Sequence, residues 1–344
     1  MKRPTRKSLI LSALAVILMV AILASAFPTS PVLSTSAQTS SSSDYIKWVD
    51  FDVTYEAMED AMQLDIKTHE EEYPLHWIEM LAYLGARYGG DFSKYKSADL
   101  DRLAETLSGG QTMEELTKDM KYYSYYLEAY TAVLGQFVGT YQIQTPSEGS
   151  DELVWQEKYG LKAFSPIAKT FPFQHFDDFG ASRSYGFSRP HVGHDLMAAT
   201  GTPVIAIESG TVEVMGWNQY GGWRIGIRSF DKKRYYYYAH LRKDRPFHAD
   251  LYEGKVVKAG DVIGYVGRTG YSAKENVNNI STSHLHVGME LIFDESQKEC
   301  NSEIWIDLYA ITRLLQKNQS AVTRVAETKE FYRTYDFQEP ELVQ

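Results

Sequence analysis

The sequence predicts an α+β multidomain protein in which an N-terminal α-helical module precedes an antiparallel, all-β domain. Two observations support this fold class. Between residue 44 and about residue 141 apolar residues recur at helical spacing, whereas from about residue 170 short β-prone runs alternate with glycine-containing turns. The chain has 344 residues, of which 44% are hydrophobic. That is enough apolar material for two domains, each with its own hydrophobic core.

The N-terminal segment predicts export from the cytoplasm. Basic residues at positions 2, 3, 6 and 7 precede an uncharged, mostly apolar run from Leu9 to Phe27, close to the roughly 20 residues that span a bilayer. Ala24-Ser25-Ala26 is typical of a signal-peptidase site, but the length also suits an uncleaved anchor. We assign residues 1–27 to a signal peptide or membrane anchor and residues 28–43 to a flexible Ser/Thr-rich linker. The remainder is therefore expected outside the cytoplasmic membrane, either anchored or secreted.

Composition excludes several classes of site. The single cysteine, Cys300, cannot form an intrachain disulfide framework or a multi-cysteine zinc cluster. A formal charge of −10 and a pI near 5.4 argue against nucleic-acid binding, which needs a basic surface. Because the chain has only one cysteine, any metal site must consist of histidine and carboxylate ligands.

Residues 44–148 predict a helical module of unknown task. Pro74 suits the first turn of a helix that ends at Gly89-Gly90. The stretch Thr112 to Glu115 fits a capping box that opens a helix running to Gly135. Three tyrosines share one face of that helix, and packing against other helices is favoured over stacking on sugar rings: Tyr122, Tyr126 and Tyr130.

We expect a connector at residues 149–178, a β domain at residues 179–300, and a C-terminal helix and charged tail at residues 301–344. One hairpin is predicted around Glu208-Ser209-Gly210 and a second around Asp231-Lys232-Lys233, because alternating runs flank both turns. The apolar spacing from Ile304 to Leu315 predicts an amphipathic helix packed on the β domain.

Most of the histidines fall in the predicted β domain. In Ser283-His284-Leu285-His286-Val287 the two histidines are two residues apart, so in a strand their imidazoles point to the same face. His191 and Asp195 lie four residues apart, just before the first predicted strand. An aspartate entering an apolar strand needs charge compensation, which a metal ion supplies.

Catalytic zinc takes three protein ligands and keeps a fourth position for water. His191, Asp195 and one histidine of the 284/286 pair can supply those three ligands. The other histidine of the pair and His240 are then candidates for the general base and for stabilising an oxyanion. His194 and His175 are expected to have structural roles, and no H-E-x-x-H motif occurs in the chain.

The sequence resembles the lysostaphin-type, or LytM-like, zinc metallopeptidases across about residues 179–293. Several short motifs carry the resemblance because they recur in order: Arg189-Pro-His191-x-Gly193-x-Asp195, Gly201-Thr-Pro-Val204, Tyr238-Ala-His240-Leu, Thr269-Gly270 and His284-Leu-His286. The resemblance implies the duplicated hybrid motif β fold. It also implies hydrolysis of peptide bonds in the stem or cross-bridge of cell-wall peptidoglycan, with one zinc ion per chain.

The resemblance further implies individual roles. The family's metal ligands match His191, Asp195 and His286, and its two non-ligand catalytic histidines match His240 and His284. An alternative is a non-catalytic or autoinhibited wall-binding scaffold of the same family, whose helical module docks a partner protein. All five positions are intact, which favours the enzyme. This chain departs from the family at Ala273 to Ile280, an insertion that we expect to border the substrate groove.

Overall fold

The computed structural model describes residues 45–150, 152–298 and 303–340. The predicted signal peptide or anchor, the linker and Cys300 lie outside the described residues. Within the part that is described, no helix combines the length and the apolar character needed to cross a membrane. The fold class is confirmed, because N-terminal helices precede a mostly antiparallel β region.

The N-terminal part is helical, as predicted. Its helices are α1 Tyr55–Thr68, α2 Trp77–Tyr88, α3 Ser97–Ser108, α4 Met113–Thr117 and α5 Tyr123–Leu134. Helix α2 begins after Pro74, not at it, and ends at Gly89, whose φ of +68° is in the left-handed region that favours glycine.

The capping box at Thr112 is present, but the helix that it opens is shorter than predicted. The Glu115 N–H donates to Thr112 Oγ1 at 3.2 Å, and the Thr112 N–H donates to Glu115 Oε2 at 3.1 Å. Helix α4 ends at Thr117, whose hydroxyl donates back to the Met113 carbonyl at 2.8 Å, and α5 starts separately. Of the tyrosine face, Tyr130 is fully buried and Tyr122 is exposed. The tyrosines contribute to packing toward the buried end of that face.

The strands of the described residues are short and follow one another closely. In chain order they are β1 Val138–Pro146, β2 Leu153–Leu161, β3 Phe173–Phe176, β4 Ser182–Tyr185, β5 Phe187–Pro190, β6 His194–Ala198, β7 Pro203–Ile205, β8 Gly210–Asn218, β9 Gly222–Ser229, β10 Arg234–Ala239, β11 Val256–Val257, β12 Val262–Tyr265, β13 His284–Leu291, β14 Ile304–Trp305, β15 Val322–Arg324, β16 Phe331–Arg333 and β17 Phe337–Gln338.

The largest sheet has the strand order β11-β8-β9-β10-β13-β6-β3, with β14 paired to β13. All of its pairings are antiparallel, and they bring β13 between β10 and β6. The hairpin predicted at Asp231-Lys232-Lys233 is confirmed, because β9 and β10 pair across it. This sheet carries the functional side chains described below.

The hairpin predicted around Glu208 is wrong. Strand β7 pairs with β12, and β8 pairs with β9 and β11, so the two runs that flank Glu208 belong to different sheets. The physical reason is that Glu208 is buried and does not form a surface turn. Its carboxylate accepts from Arg234 Nε at 2.8 Å and from the Tyr236 hydroxyl at 2.6 Å, which compensates the buried charge.

The C-terminal segment is more structured than the sequence predicts. Residues Ile304–Trp305 form β14, and the helix, α6, begins only at Tyr309 and ends at Leu315. The residues after it, predicted as a charged tail, form the β15–β16 hairpin and the strand β17, which pairs with β1. Phe337 in β17 is fully buried. Its burial explains why this charged segment is held against the fold.

The helices and the large sheet share one hydrophobic core, which runs from α1 and α2 to the strands of the sheet. Arg234 on β10 links the two parts. It is fully buried, and its Nη1 donates to the Ala132 carbonyl near the end of α5 at 2.6 Å. A cation at a helix C-terminus satisfies carbonyls that have no partner within the helix.

Candidate active site

Strand alternation places the two histidines of β13 on one face. His286 lies opposite Asp195 of β6 in the sheet register, and His284 lies opposite Met197. Leu285 and Val287 point to the other face and are fully buried in the core. The sheet register thus brings a histidine and a carboxylate that are 91 residues apart in sequence to one surface.

His191, Asp195 and His286 form a compact group of possible metal ligands. The distance from His191 Nε2 to His286 Nδ1 is 2.8 Å, and Asp195 Oδ1 lies 3.2 Å from the first atom and 3.1 Å from the second. Zinc bound tetrahedrally at about 2.0–2.2 Å separates its ligand atoms by about 3.3 Å. Three donors with nearly that spacing, all buried, fit a single metal ion.

The hydrogen bonding of His191 also fits a metal ligand. Its Nδ1–H donates to the backbone carbonyl of Asp178 at 3.3 Å, and the Asp178 carboxylate atom Oδ1 lies 3.1 Å from Nδ1. Nδ1 therefore carries the proton, and the lone pair of Nε2 points at Asp195 and His286. Without a cation, this lone pair would face the carboxylate. A carboxylate behind a ligating histidine is the common arrangement around protein-bound metals.

Burial and hydrogen bonds act on the Asp195 carboxyl in opposite directions. Burial raises its pKa, but the close contacts with His191 and His286 outweigh burial and hold the pKa well below its usual range. Arg183 adds a positive charge, since its Nη2 lies 3.4 Å from Asp195 Oδ2 and also contacts Asp178. Asp195 is therefore ionised, as a metal ligand must be.

The glycine between the two predicted ligands leaves room for the third ligand. A Cβ atom at Gly193 would lie 2.4 Å from Cε1 of His286. Any larger residue would displace the imidazole, because real Cβ contacts are never that short. The motif His191-x-Gly193-x-Asp195 is thus explained by packing against His286 as well as by its ligands.

His284 and His240 lie next to the ligand group, with their ring centroids 4.9 Å apart. In each, Nδ1–H donates to a backbone carbonyl at 2.9 Å: Thr282 for His284 and Thr269 for His240. The Nε2 atoms therefore carry the lone pairs. Nε2 of His284 is 3.7 Å from Asp195 Oδ2. Two basic nitrogens beside a metal site can accept and return a proton.

His240 is held in a restricted backbone conformation. Its φ is +60°, uncommon for a residue with a side chain, and its N–H donates to the Gly221 carbonyl at 2.8 Å. Burial lowers the pKa of His240 well below its usual value, and the neighbouring His284 and His286 lower it further. His240 is therefore neutral in the resting site.

His194 and His175 lie on the opposite face of the sheet. Their Nε2 and Nδ1 atoms are 3.1 Å apart, and Tyr309 of α6 packs against both rings. His194 points away from the ligand group although it lies between His191 and Asp195 in sequence. The structural roles expected for both histidines agree with these positions.

The site opens into a groove of about 730 Å³. Its walls are rich in aromatic rings, including Tyr220, Tyr237, Tyr271 and Trp305, and in arginines. A Cβ atom at Gly288 would lie 2.7 Å from the Trp305 ring, so this glycine of β13 makes room for the wall. Ile280, the last residue of the inserted segment, lines the groove, as expected from the sequence.

Residues 189–299 match the model of Peptidase family M23. The match lies within the β domain and covers about a third of the chain. The matched residues contain Asp195 and the histidines at positions 191, 240, 284 and 286.

Curated proteins similar to part of this chain include an endopeptidase and lysostaphin. The L-Ala–D-Glu endopeptidase of Bacillus subtilis is 38% identical over 130 residues, which are 38% of this chain and 38% of that protein. Lysostaphin of Staphylococcus simulans is 39% identical over 97 residues, 28% of this chain and 17% of that protein. The chain thus matches well under half of the length of these relatives.

The fold extends beyond the M23 domain. The crystal structure of a LytM protein from Ruminococcus gnavus has a TM-score of 0.50 to this chain at 22% identity, covering 78% of this chain and 89% of that chain. Since 78% of the chain exceeds the M23 domain, the likeness includes elements outside it. At this level of identity, the likeness shows the fold alone.

Several site residues were not found from the sequence. Asp178 lies 13 residues before His191, in the segment predicted as a connector, and Arg183 follows five residues later. No local sequence motif marks either residue as part of the site. The one usable signal was the principle that a ligating histidine is oriented by a carboxylate, which does not say where in the sequence to look.

Proposed function

We propose that this protein is a zinc-dependent endopeptidase that hydrolyses peptide bonds in the stem or cross-bridge peptides of peptidoglycan. The observation that carries the proposal is the group formed by His191, Asp195 and His286 beside the two further histidines, His240 and His284, in an M23 domain. The names of the relatives support peptidoglycan as the substrate.

His191, Asp195 and His286 would bind the metal. A zinc ion held by them supplies Lewis acidity, which polarises the scissile carbonyl and lowers the pKa of a water molecule. The backbone carbonyl of Asp178 accepts from His191 Nδ1–H, and the Asp178 carboxylate lies 3.1 Å from the same nitrogen. Asp178 thus keeps the proton of His191 on Nδ1 and directs Nε2 at the metal position. Arg183 compensates part of the negative charge of Asp178 and Asp195.

The proton transfer is assigned to His284 and His240. Only one of them can hold a second proton at a time, because two imidazolium rings 4.9 Å apart repel each other. His284 is the better acceptor, since its Nε2 faces the Asp195 carboxylate whereas burial lowers the pKa of His240. His284 Nε2 thus accepts the proton of the attacking water and returns it to the leaving amine.

We further propose that the protein acts outside the cytoplasmic membrane. The proposal is supported by the basic N-terminus and by the apolar run from Leu9 to Phe27. Its substrate is located there. A reporter fused after residue 344 would test it: a periplasm- or surface-active reporter should be active and a cytoplasm-only reporter inactive.

The activity is tested by incubating purified sacculi with the zinc-loaded protein and identifying the released muropeptides by mass spectrometry. We expect peptide fragments from the unsubstituted protein and none from His286→Ala. Identification of the new termini gives the bond that is cut. If a protein with one bound zinc per chain releases no fragments from any sacculus, the proposal of an active endopeptidase is wrong and the scaffold alternative gains support.

A further inference from the structure

Three arginines line the groove, and they differ in their partners: Arg183, Arg189 and Arg224. Arg183 contacts Asp178 and lies 3.4 Å from Asp195, so its charge is balanced within the metal site. The other two arginines make no ion pair with a carboxylate among the residues that the structure describes. Their positive charges therefore remain available in the groove.

Arg189 is in an unfavourable electrostatic position. In the β4–β5 hairpin it is the register partner of Arg183, and like charges that lie directly opposite on paired strands destabilise the pairing. Its guanidinium is held by aromatic rings instead of acids, at 4.8 Å from the centroid of Tyr220 and 5.5 Å from that of Tyr271. An anion bound beside Arg189 would relieve this repulsion.

Arg224 has an unsatisfied polar atom. Its Nε is buried and has no hydrogen-bond partner in the described part of the chain, although buried polar atoms are nearly always paired. Its guanidinium lies 6.0 Å from the ring centroid of Tyr237. Arg224 also lines the groove, so its guanidinium can donate to acceptor oxygens of a ligand bound there.

Tyr237 shows that the two arginines face a common region. Burial raises the pKa of the Tyr237 hydroxyl, while the hydrogen bond from Asn218 and the positive charges of Arg224 and Arg189 all oppose that increase. Asn218 Nδ2 donates to this hydroxyl at 3.2 Å. Both guanidinium groups therefore act on the same tyrosine from within the groove.

This region adjoins the reaction centre. The Tyr237 ring lies 5.8 Å from His286, and the Tyr271 ring that stacks on Arg189 lies 5.9 Å from His240. An extended peptide advances about 3.3 Å per residue. A group within a few residues of the scissile bond would thus reach the arginines. Acidic residues also line the groove, with Glu303 bound to Trp305 Nε1 at 2.8 Å.

We propose that Arg189 and Arg224 form a subsite for a free carboxylate of the substrate peptide, close to the scissile bond. The inference rests on the proposed function and specifies which peptides it accepts. A glutamyl residue linked through its γ-carboxyl has such a free α-carboxylate. The planar guanidinium suits this ligand because it can donate two parallel hydrogen bonds to a carboxylate.

The test compares two peptides that differ only in this group: L-Ala-γ-D-Glu-L-Lys and the same peptide with the α-carboxylate converted to a carboxamide. Binding is measured by calorimetry on the zinc-loaded full-length protein carrying His284→Ala, so that turnover does not consume the peptide. We expect the acid to bind at least about tenfold more tightly than the amide. Adding Arg189→Gln or Arg224→Gln should bring this ratio close to one, and Arg189→Lys should leave an intermediate ratio.

A matched control is Arg313→Gln, since Arg313 also stacks on a tyrosine, at 4.6 Å from Tyr55, but does not line the groove. It should leave the ratio unchanged. Three results would each overturn the subsite. The affinity ratio could be near one before any arginine is changed, it could persist after both glutamine substitutions, or the acid could show no measurable binding at millimolar concentration. If the arginines had a purely structural role, their substitution would weaken the binding of both peptides equally.

Hydrolysis of the same peptides by the unsubstituted protein separates this inference from the proposed function. Cleavage of both peptides at equal rates would retain the endopeptidase and eliminate the subsite. Selective binding of the acid with no cleavage of either peptide or of sacculi would support the subsite and overturn the endopeptidase.

Discussion

The two faces of the sheet around β6 and β13 each bring histidines together, but only one face places them beside a carboxylate as possible metal ligands. On the groove face, His191 and His286 meet the Asp195 carboxylate, with Asp178 behind His191. On the opposite face, His194 and His175 contact each other, and His175 has the neutral partners Thr312 and Gln316. The histidines of the groove face therefore lie beside carboxylates, whereas the hydrogen-bond partners of the histidine pair on the opposite face are neutral.

The difference shows that clustering of histidines does not by itself make a metal site. Burial lowers the pKa of His194 to about 3, so the second pair stays neutral and can be satisfied by hydrogen bonds alone. On the groove face, ionised Asp195 and the lone pair of His191 converge on one point and need a cation. The carboxylate decides which pair can bind a metal.

The largest effect is expected from removing a ligand of the groove face. His286→Ala should lose zinc and all hydrolysis above background, because two ligands do not retain a catalytic zinc. Zinc content is measured by mass spectrometry of the dialysed protein. His194→Asn is the matched control on the opposite face and should retain one zinc per chain. Zinc loss in the control would place His194 in the metal site and remove the distinction.

Removing the adjacent histidine should separate metal binding from catalysis. His284→Ala is expected to keep its zinc and to lower kcat by about 10²–10⁴-fold, the usual contribution of a general base. The rate on a fluorogenic peptide and the zinc content are measured on one preparation. Undiminished hydrolysis by this variant would contradict the assignment of His284 as proton acceptor.

Removing the supporting carboxylate should weaken the metal site without abolishing it. Asp178→Asn keeps the shape but loses the charge behind His191, and we expect metal affinity to fall about 10–100-fold. Competition with a zinc chelator gives the affinity. Asp177→Asn changes a neighbouring, exposed acid and should have no effect. Equal affinities for both variants would show that Asp178 does not support the ligand.

The smallest effect concerns the neutral pair. The folded-state pKa of His194, about 3, lies below the ordinary value of 6.5, so the unfolded chain binds the proton more readily and acidification favours unfolding. Between pH 6.5 and 4 this residue should cost up to about 1.4 kcal/mol of stability per pH unit. Urea unfolding of the metal-free protein should therefore show that the free energy of unfolding falls more steeply with decreasing pH for the unsubstituted chain than for His194→Asn. Parallel pH profiles would contradict the assignment of His194 as a buried neutral histidine.

Local rules predicted much of the fold. Helical spacing, the capping box at Thr112 and the turn at Asp231 were visible in the sequence because each depends on residues a few positions apart. The hairpin at Glu208 failed because its side chain pairs with Arg234, 26 residues away. The C-terminal strands were missed for a similar reason, since β17 is stabilised by pairing with the distant β1.

The sequence by itself determined which residues are available for the chemistry. Its single cysteine left histidine and carboxylate as ligands, and the period of two in His284-Leu285-His286 put both imidazoles on one face. Only the tertiary structure decided that Asp178 supports His191, that His194 faces away, and that Arg189 and Arg224 share a groove. These relations depend on strand register and loop packing, which bring distant residues within a few ångströms of each other and which no local pattern specifies.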